Sequence, residues 1–240
     1  MARGHMPRAI YCRRTGMGYA LRAGISFCEV SERLLFLDTV DDRYFCLQPG
    51  VEQSFRTMMN DRGQSFTLSH PHDLGGMLRS GVLLETAGPA VPVPFRSGHI
   101  ARASLLDTPD QQVATGRFLS AMIHIAGARL SLHCGHLDDI LTRLDHIKCP
   151  WPRSGKVELD PIQSMASAFE ATSRFLRSHD KCLSRSLALA RCLAAHNLPG
   201  DLVIGVKLRP FAAHSWVQSG PWLVNDRIDM IRAYTPIMAV

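Results

Sequence analysis

The chain has 240 residues, 46% hydrophobic and 20% charged, with a formal net charge of +6. It can bury one large or two modest cores, and no apolar run approaches the ~20 residues a membrane-spanning helix needs. Arg3, Arg8, Arg13, Arg14 and Arg22 precede the first acidic residue, Glu29, and supply five of the six charges, so the rest lacks the cationic surface that duplex nucleic acid demands.

Residues 1–20 read as a basic flexible arm without a secretory apolar segment. Seven cysteines at irregular spacing suit a reducing compartment, so a cytoplasmic location is expected. From Gly24 the pattern alternates, and strands are predicted over 25–30, 34–40 and 43–47, with Asp41-Asp42 turning into the last. Pro49-Gly50 ends them, after which Val51, Phe55 and Met58 mark a helix over 51–59. A second helix is predicted over 74–84, entered through His70-Pro71-His72-Asp73. Three strands followed by helices give residues 21–88 a winged-helix-like plan. Pro89, Pro92 and Pro94 then suit a semi-rigid linker over 89–96.

Beyond the linker, helices are predicted over 109–130, with Phe118, Met122 and Ile125 on one stripe, over 136–147, and over 161–176 with Asp160 at its cap. Met165 and Phe169 on the last read as core. His133, Cys134, His136, His146 and Cys149 fit no standard zinc spacing, and no glycine-rich phosphate loop is present, so neither metal nor cofactor is expected. The fold class is α+β, with residues 97–240 as the second domain.

The chemistry concentrates after residue 178. Leu183, Leu187, Ala190 and Ala194 recur at helical spacing until Asn197-Leu198-Pro199-Gly200 stops the helix, and Asp180 at its cap puts Cys182 in the first turn. Free backbone N–H groups and the helix dipole favour a thiolate there, and Lys181 and Arg185 add positive charge. Strands follow over 202–208, 213–218 and 222–225. A hairpin centred on Gly220 would set His214 opposite Asp226, and a one-residue bulge would substitute Asn225. Thiol, imidazole and carboxylate in that order are the parts of thiolate catalysis.

The blocks Lys-Cys-Leu-Ser-Arg-Ser-Leu-Ala-Leu (181–189), Phe-Ala-Ala-His-Ser-Trp-Val-Gln (211–218) and Trp-Leu-Val-Asn-Asp (222–226) resemble the motifs of transglutaminase-like cysteine peptidases, and more closely those of the B proteins of lasso-peptide biosynthesis. Ser215 and Gln218 depart from the alanine and glutamate expected beside the histidine. The resemblance implies a triad of Cys182, His214 and Asp226 that removes the leader from a ribosomally made precursor, just after a threonine in the penultimate leader position. It implies an ATP-dependent, asparagine-synthetase-like cyclase as partner. Residues 21–88 resemble the fused recognition element of such proteins. There the leader adds to the edge of the third strand, here Arg43, Tyr44, Phe45, Cys46 and Leu47, and packs on the last helix, here through Leu78 and Val82. Two other functions stay open on the residues: a transglutaminase-type acyl transferase using the same thioester, and a non-catalytic winged-helix nucleic-acid-binding protein.

Overall fold

The computed structural model describes residues 17–60, 71–107, 113–148, 157–173 and 182–240. Its first elements in chain order are strands β1 (Met17–Leu21), β2 (Ile25–Val30), β3 (Arg33–Asp38) and β4 (Arg43–Cys46), helices α1 (Pro49–Asn60) and α2 (Pro71–Arg79), and strand β5 (Leu83–Ala87). The architecture is mixed helix and sheet, as the α+β reading expects. The described residues fall into two compact units: one takes the chain up to Ala23 with Gln48–Val93, the other Gly24–Leu47 with Pro94–Val240.

In the smaller unit β1 pairs antiparallel with β5, from Met17 opposite Ala87 to Leu21 opposite Leu83. Helix α1 packs on α2, and α2 on β5. Two sequence expectations are corrected here. Residues 17–20, assigned to the flexible arm, belong to a paired strand. The helix expected over 74–84 stops at Arg79, because Gly81 takes a positive φ of 70° and turns the chain into β5.

The larger unit continues with strand β6 (Ala103–Ser104), a 3₁₀ turn (Leu105–Asp107), helices α3 (Thr115–Cys134), α4 (Leu137–Ile147), α5 (Leu159–Ser173) and α6 (Cys182–Ala195), strands β7 (Asp201–Leu208), β8 (Phe211–Ser219) and β9 (Trp222–Leu223), helix α7 (Ile228–Ile231) and strand β10 (Thr235–Ala239). One sheet runs β10-β7-β8-β9-β6; a second runs β2-β3-β4. The three strands expected to build a 21–88 domain therefore join the larger unit. Cys28, Val30, Leu35 and Leu37 lie in one buried cluster with residues of α3, α4, α5, α6 and β7. The reason is the two-sidedness of β3, buried from Leu34 through Asp38: an alternating strand is legible in sequence, but which core its second face joins is not.

Helix α6 is the centre of this unit. Leu187, Leu189 and Leu193 are fully buried on it, and α3 meets it with the small buried residues Ala121 and Ala128 around Ile125. That stripe is one step round from the expected Phe118, Met122 and Ile125, because alanines let two helices approach closely. Each buried leucine contributes about 2 kcal/mol. The far end of α6 closes as a Schellman cap: Asn197, at φ 55°, puts its N–H on the Ala194 carbonyl, and the Leu198 N–H reaches Leu193.

Candidate active site

Cys182 opens α6, half-buried, in the first turn as the spacing predicts. Lys181 and the expected cap Asp180 lie outside the described residues. Arg185 is turned aside, with Nη2 on the Glu170 carboxylate at 3.2 Å, and it does not set the charge at the sulfur. His214 stands on β8 opposite Gly205 of β7. A Cβ on Gly205 would come within 2.6 Å of two carbons of the Trp216 indole, so only glycine leaves room for the ring that packs beside His214.

The hairpin register differs by one residue from the expected one. Its turn contains two residues, Gly220 at φ 56° and then Pro221, so Ser219 faces Trp222 and Gln218 faces Leu223. Pairing ends there, and residues 224–226 bend rather than extend. The bend brings Asp226 back: its Oδ2 lies 2.5 Å from Nε2 of His214, and its Oδ1 accepts the Arg227 N–H at 2.8 Å. Asn225 has another task. Its Oδ1 accepts the Val217 N–H at 2.7 Å and its Nδ2 donates to Ser186 at 2.9 Å. The Ser186 hydroxyl, on α6, donates to the Ser215 carbonyl at 2.9 Å. From the other side the buried Ser104 hydroxyl donates to the Asp226 carbonyl at 2.6 Å. Ser104, Ser186 and Gly205 carry no sequence signal of these roles, since each acts through a partner distant in the chain.

The electrostatics follow from these contacts. Burial pushes the Cys182 thiol up, but hydrogen bonding to His214 and to the Ser215 side chain and backbone N–H, with the imidazolium charge, outweighs it and brings the thiol from 9.0 down to about 7. The buried Ser215 hydroxyl meets no described atom in hydrogen-bond geometry, which leaves the backbone N–H as the principal Ser215 group at the sulfur. His214 rises from 6.5 to about 9, through its bond to Asp226 first and to Cys182 second, against the opposing effect of burial. With Nε2 given to Asp226, Nδ1 is the ring nitrogen left for sulfur. Between those two values the pair favours a thiolate beside an imidazolium, an arrangement able to supply a nucleophile and a proton donor.

Residues 126–239 match the transglutaminase-like superfamily. All three groups just described lie inside that match. A stretch of 49 residues is 47% identical to the microcin J25-processing protein McjB of Escherichia coli, covering 20% of this chain and 24% of that protein. The chain thus spans about a quarter of the curated relative it matches. No solved structure gives a significant match.

The residues implied for leader binding are divided. Arg43, Tyr44, Phe45 and Cys46 form β4, an edge strand of its sheet. Arg43 pairs with Asp38 and Asp41 at 3.5 and 3.1 Å, Phe45 stacks on Phe36, Cys46 is exposed, and the Leu47 carbonyl accepts from Arg33 at 2.7 Å. Leu78 and Val82 belong to the smaller unit; Val82 is buried and follows the helix rather than lying on it. Tyr44 reaches the sheet that carries His214, its ring 5.4 Å from Phe211 on β8. Burial first, then Asp42 and Cys182, push its hydroxyl up to about 12. Gln218 is a structural residue: its Nε2 donates to the carbonyls of His99 and Gly220 at 2.9 and 2.8 Å. Among the described residues no three His, Cys, Asp or Glu side chains gather as a metal site, and no helix is long and apolar enough to cross a membrane.

Proposed function

We propose that this protein is a cysteine leader peptidase that hydrolyses the leader–core amide bond of a ribosomally made lasso-peptide precursor. The observation that carries the reading is the Asp226–His214 pair at 2.5 Å, with Cys182 held near pKa 7 against that imidazole. The thiolate of Cys182 attacks the scissile carbonyl and the carbonyl electrons move onto oxygen. Collapse expels the core amine, which takes its proton from the His214 imidazolium, and leaves the leader as a thioester. The neutral imidazole then removes a proton from water as it attacks the thioester. Collapse releases the leader acid, and the proton returns the ion pair to its starting state. Asp226 holds the ring with Nδ1 toward sulfur and supports its positive charge.

In this reading the leader adds to the open edge of β4, which raises its local concentration at the thiol. The freed amine passes to an ATP-dependent cyclase, and the reaction takes place in the cytoplasm. The likeness to a protein named for processing microcin J25 supports the substrate class.

The test is incubation with the short precursor encoded by a neighbouring reading frame, followed by mass spectrometry. The wild type should release two fragments, one beginning with a free amine. Cys182→Ala should lower the rate by roughly four or more orders of magnitude, as loss of a catalytic nucleophile does, while still retaining the leader in a pull-down. Cleavage by the variant at the wild-type rate would refute the nucleophile.

A further inference from the structure

On the face of β8 that carries His214 and Trp216, a groove of about 760 Å³ opens between residues 95–101 and the α7–β10 segment. Ile228, Ile231 and Pro236 give it apolar surface, laid over the buried Trp216 ring. Arg96 and Arg232 line it and are exposed, and no carboxylate is among its lining residues. The wall is preformed rather than loose, because the Gln218 side chain ties the His99 carbonyl to β8 at 2.9 Å.

The groove touches the chemistry through two rings. Tyr234 lines it and lies 5.2 Å from the His214 ring, and Trp216 lies 6.2 Å from the same ring. In amide cleavage the imidazolium hands its proton to the departing amine, so the peptide on the amine side of the bond must run past the imidazole. The peptide on the acyl side instead stays attached to sulfur. We propose that this groove holds the amine-side segment of the substrate, the future core peptide, and selects there an apolar residue accompanied by a carboxylate. The apolar side chain is buried against Ile228 and Ile231, and the guanidinium forks of Arg96 and Arg232 receive the carboxylate. This rests on the peptidase reading, and it adds the side of the bond and the kind of sequence that the enzyme accepts. A released product with these features stays bound and competes with new precursor.

The test uses full-length Cys182→Ala protein and four synthetic heptapeptides with free amino termini: apolar–acidic, apolar–basic, polar–acidic and polar–basic. Calorimetry should show the apolar–acidic peptide binding at least tenfold more tightly than the other three. In the double variant Arg96→Glu/Arg232→Glu, checked for intact folding by circular dichroism, the preference should pass to the apolar–basic peptide. With the wild type, the apolar–acidic peptide should inhibit precursor cleavage competitively. Four equal affinities, or an acidic preference that survives charge reversal, would overturn the groove while wild-type cleavage leaves the peptidase reading intact. A reversed preference in a protein that never cleaves precursor would sink the peptidase reading instead, since this binding does not need the thiol.

Discussion

The two segments that meet at the candidate site are held in opposite ways. Helix α6 brings Cys182 on a regular scaffold: backbone bonds run its length, a Schellman cap closes its end, and leucines bury its inner face. Among the described residues, the 224–226 bend that brings Asp226 has almost no backbone ladder of its own, only the Val224 N–H to Val217 at 2.9 Å. Side chains from elsewhere hold it, Ser104 from 122 residues away and Ser186 through Asn225. The position of the thiol is thus a local property of the chain, whereas the position of the carboxylate is a property of the whole fold. Single substitutions should damage the second far more selectively than the first.

The widest break in that comparison is Asp226→Asn, which leaves the shape and removes the charge. If the peptidase reading holds, its turnover should fall by about two to four orders of magnitude, as in catalytic triads that lose the orienting carboxylate. The pH profile gives the sharper reading. In the wild type, the rate of precursor cleavage should rise as Cys182 ionises near 7 and fall as His214 loses its proton near 9. The bond to Asp226 is the first cause of the raised His214 value, so its loss moves the upper limb down toward 6.5. The sulfur then loses imidazolium support and the lower limb moves up, narrowing the window from both sides. An unchanged profile would mean that Asp226 is not the group acting on His214.

Gly205→Ala attacks the ring stack rather than the carboxylate. The new methyl meets the Trp216 indole at 2.6 Å and the Tyr234 Cβ at 3.1 Å, and neither contact can relax by swinging a flexible chain end. Trp216 must move, and the imidazole beside it with it. We expect a destabilisation of about 1–3 kcal/mol and a drop in kcat of roughly 10- to 100-fold. KM should hold if the imidazole alone has shifted. Thermal melts and kinetics on the same preparation separate the two effects, and a wild-type kcat would remove Trp216 from the support of His214.

How much of this was legible in the chain follows the same division. The helix opening at Cys182 and ending near Asn197, and the strands around His214, can be read from periodicity because their causes lie within a few residues. The strand pairing differs by one residue from the expected one, because the turn can be centred on Gly220 or between Gly220 and Pro221, and sequence does not say which. Ser104 gives no signal at all: two short elements and a parallel pairing of Ala103 with Trp222 must form before its hydroxyl can find Asp226. The β2-β3-β4 sheet was visible as three strands, but its allegiance to residues 94–240 depends on what covers Leu35 and Leu37, which no local pattern records. Tyr44 stands out in sequence only for its place on an edge strand; its approach to Phe211 follows from that allegiance.

Ser104→Ala tests the remote support directly. It removes the 2.6 Å bond to the Asp226 carbonyl and leaves the Leu106 N–H without the acceptor it has at 3.0 Å. Leaving such buried groups unpaired costs about 1–3 kcal/mol. The rate should fall about tenfold, with the upper limb of the pH profile lowered in the direction of Asp226→Asn but by less. A stability loss without any change in the profile would show that the bend keeps its carboxylate on His214 unaided.

The finest test is Ser186→Ala, at the joint between the two segments. Its hydroxyl is fully buried, donates to the Ser215 carbonyl on β8 and accepts from Asn225 in the bend, both at 2.9 Å. Alanine there removes the link but leaves each segment its own principal support: the core contacts of α6, and Ser104 and Val217 for the bend. The expected cost is about 1–3 kcal/mol of stability, as for Ser104, but only a few-fold loss of kcat. The double variant Ser104→Ala/Ser186→Ala should lose more rate than the product of the single losses, because both serines restrain one bend. Simple multiplication of the two effects would mean that the bend and the helix are anchored independently, and that the carboxylate owes its place to the Arg227 N–H and its own chain more than to the fold around it.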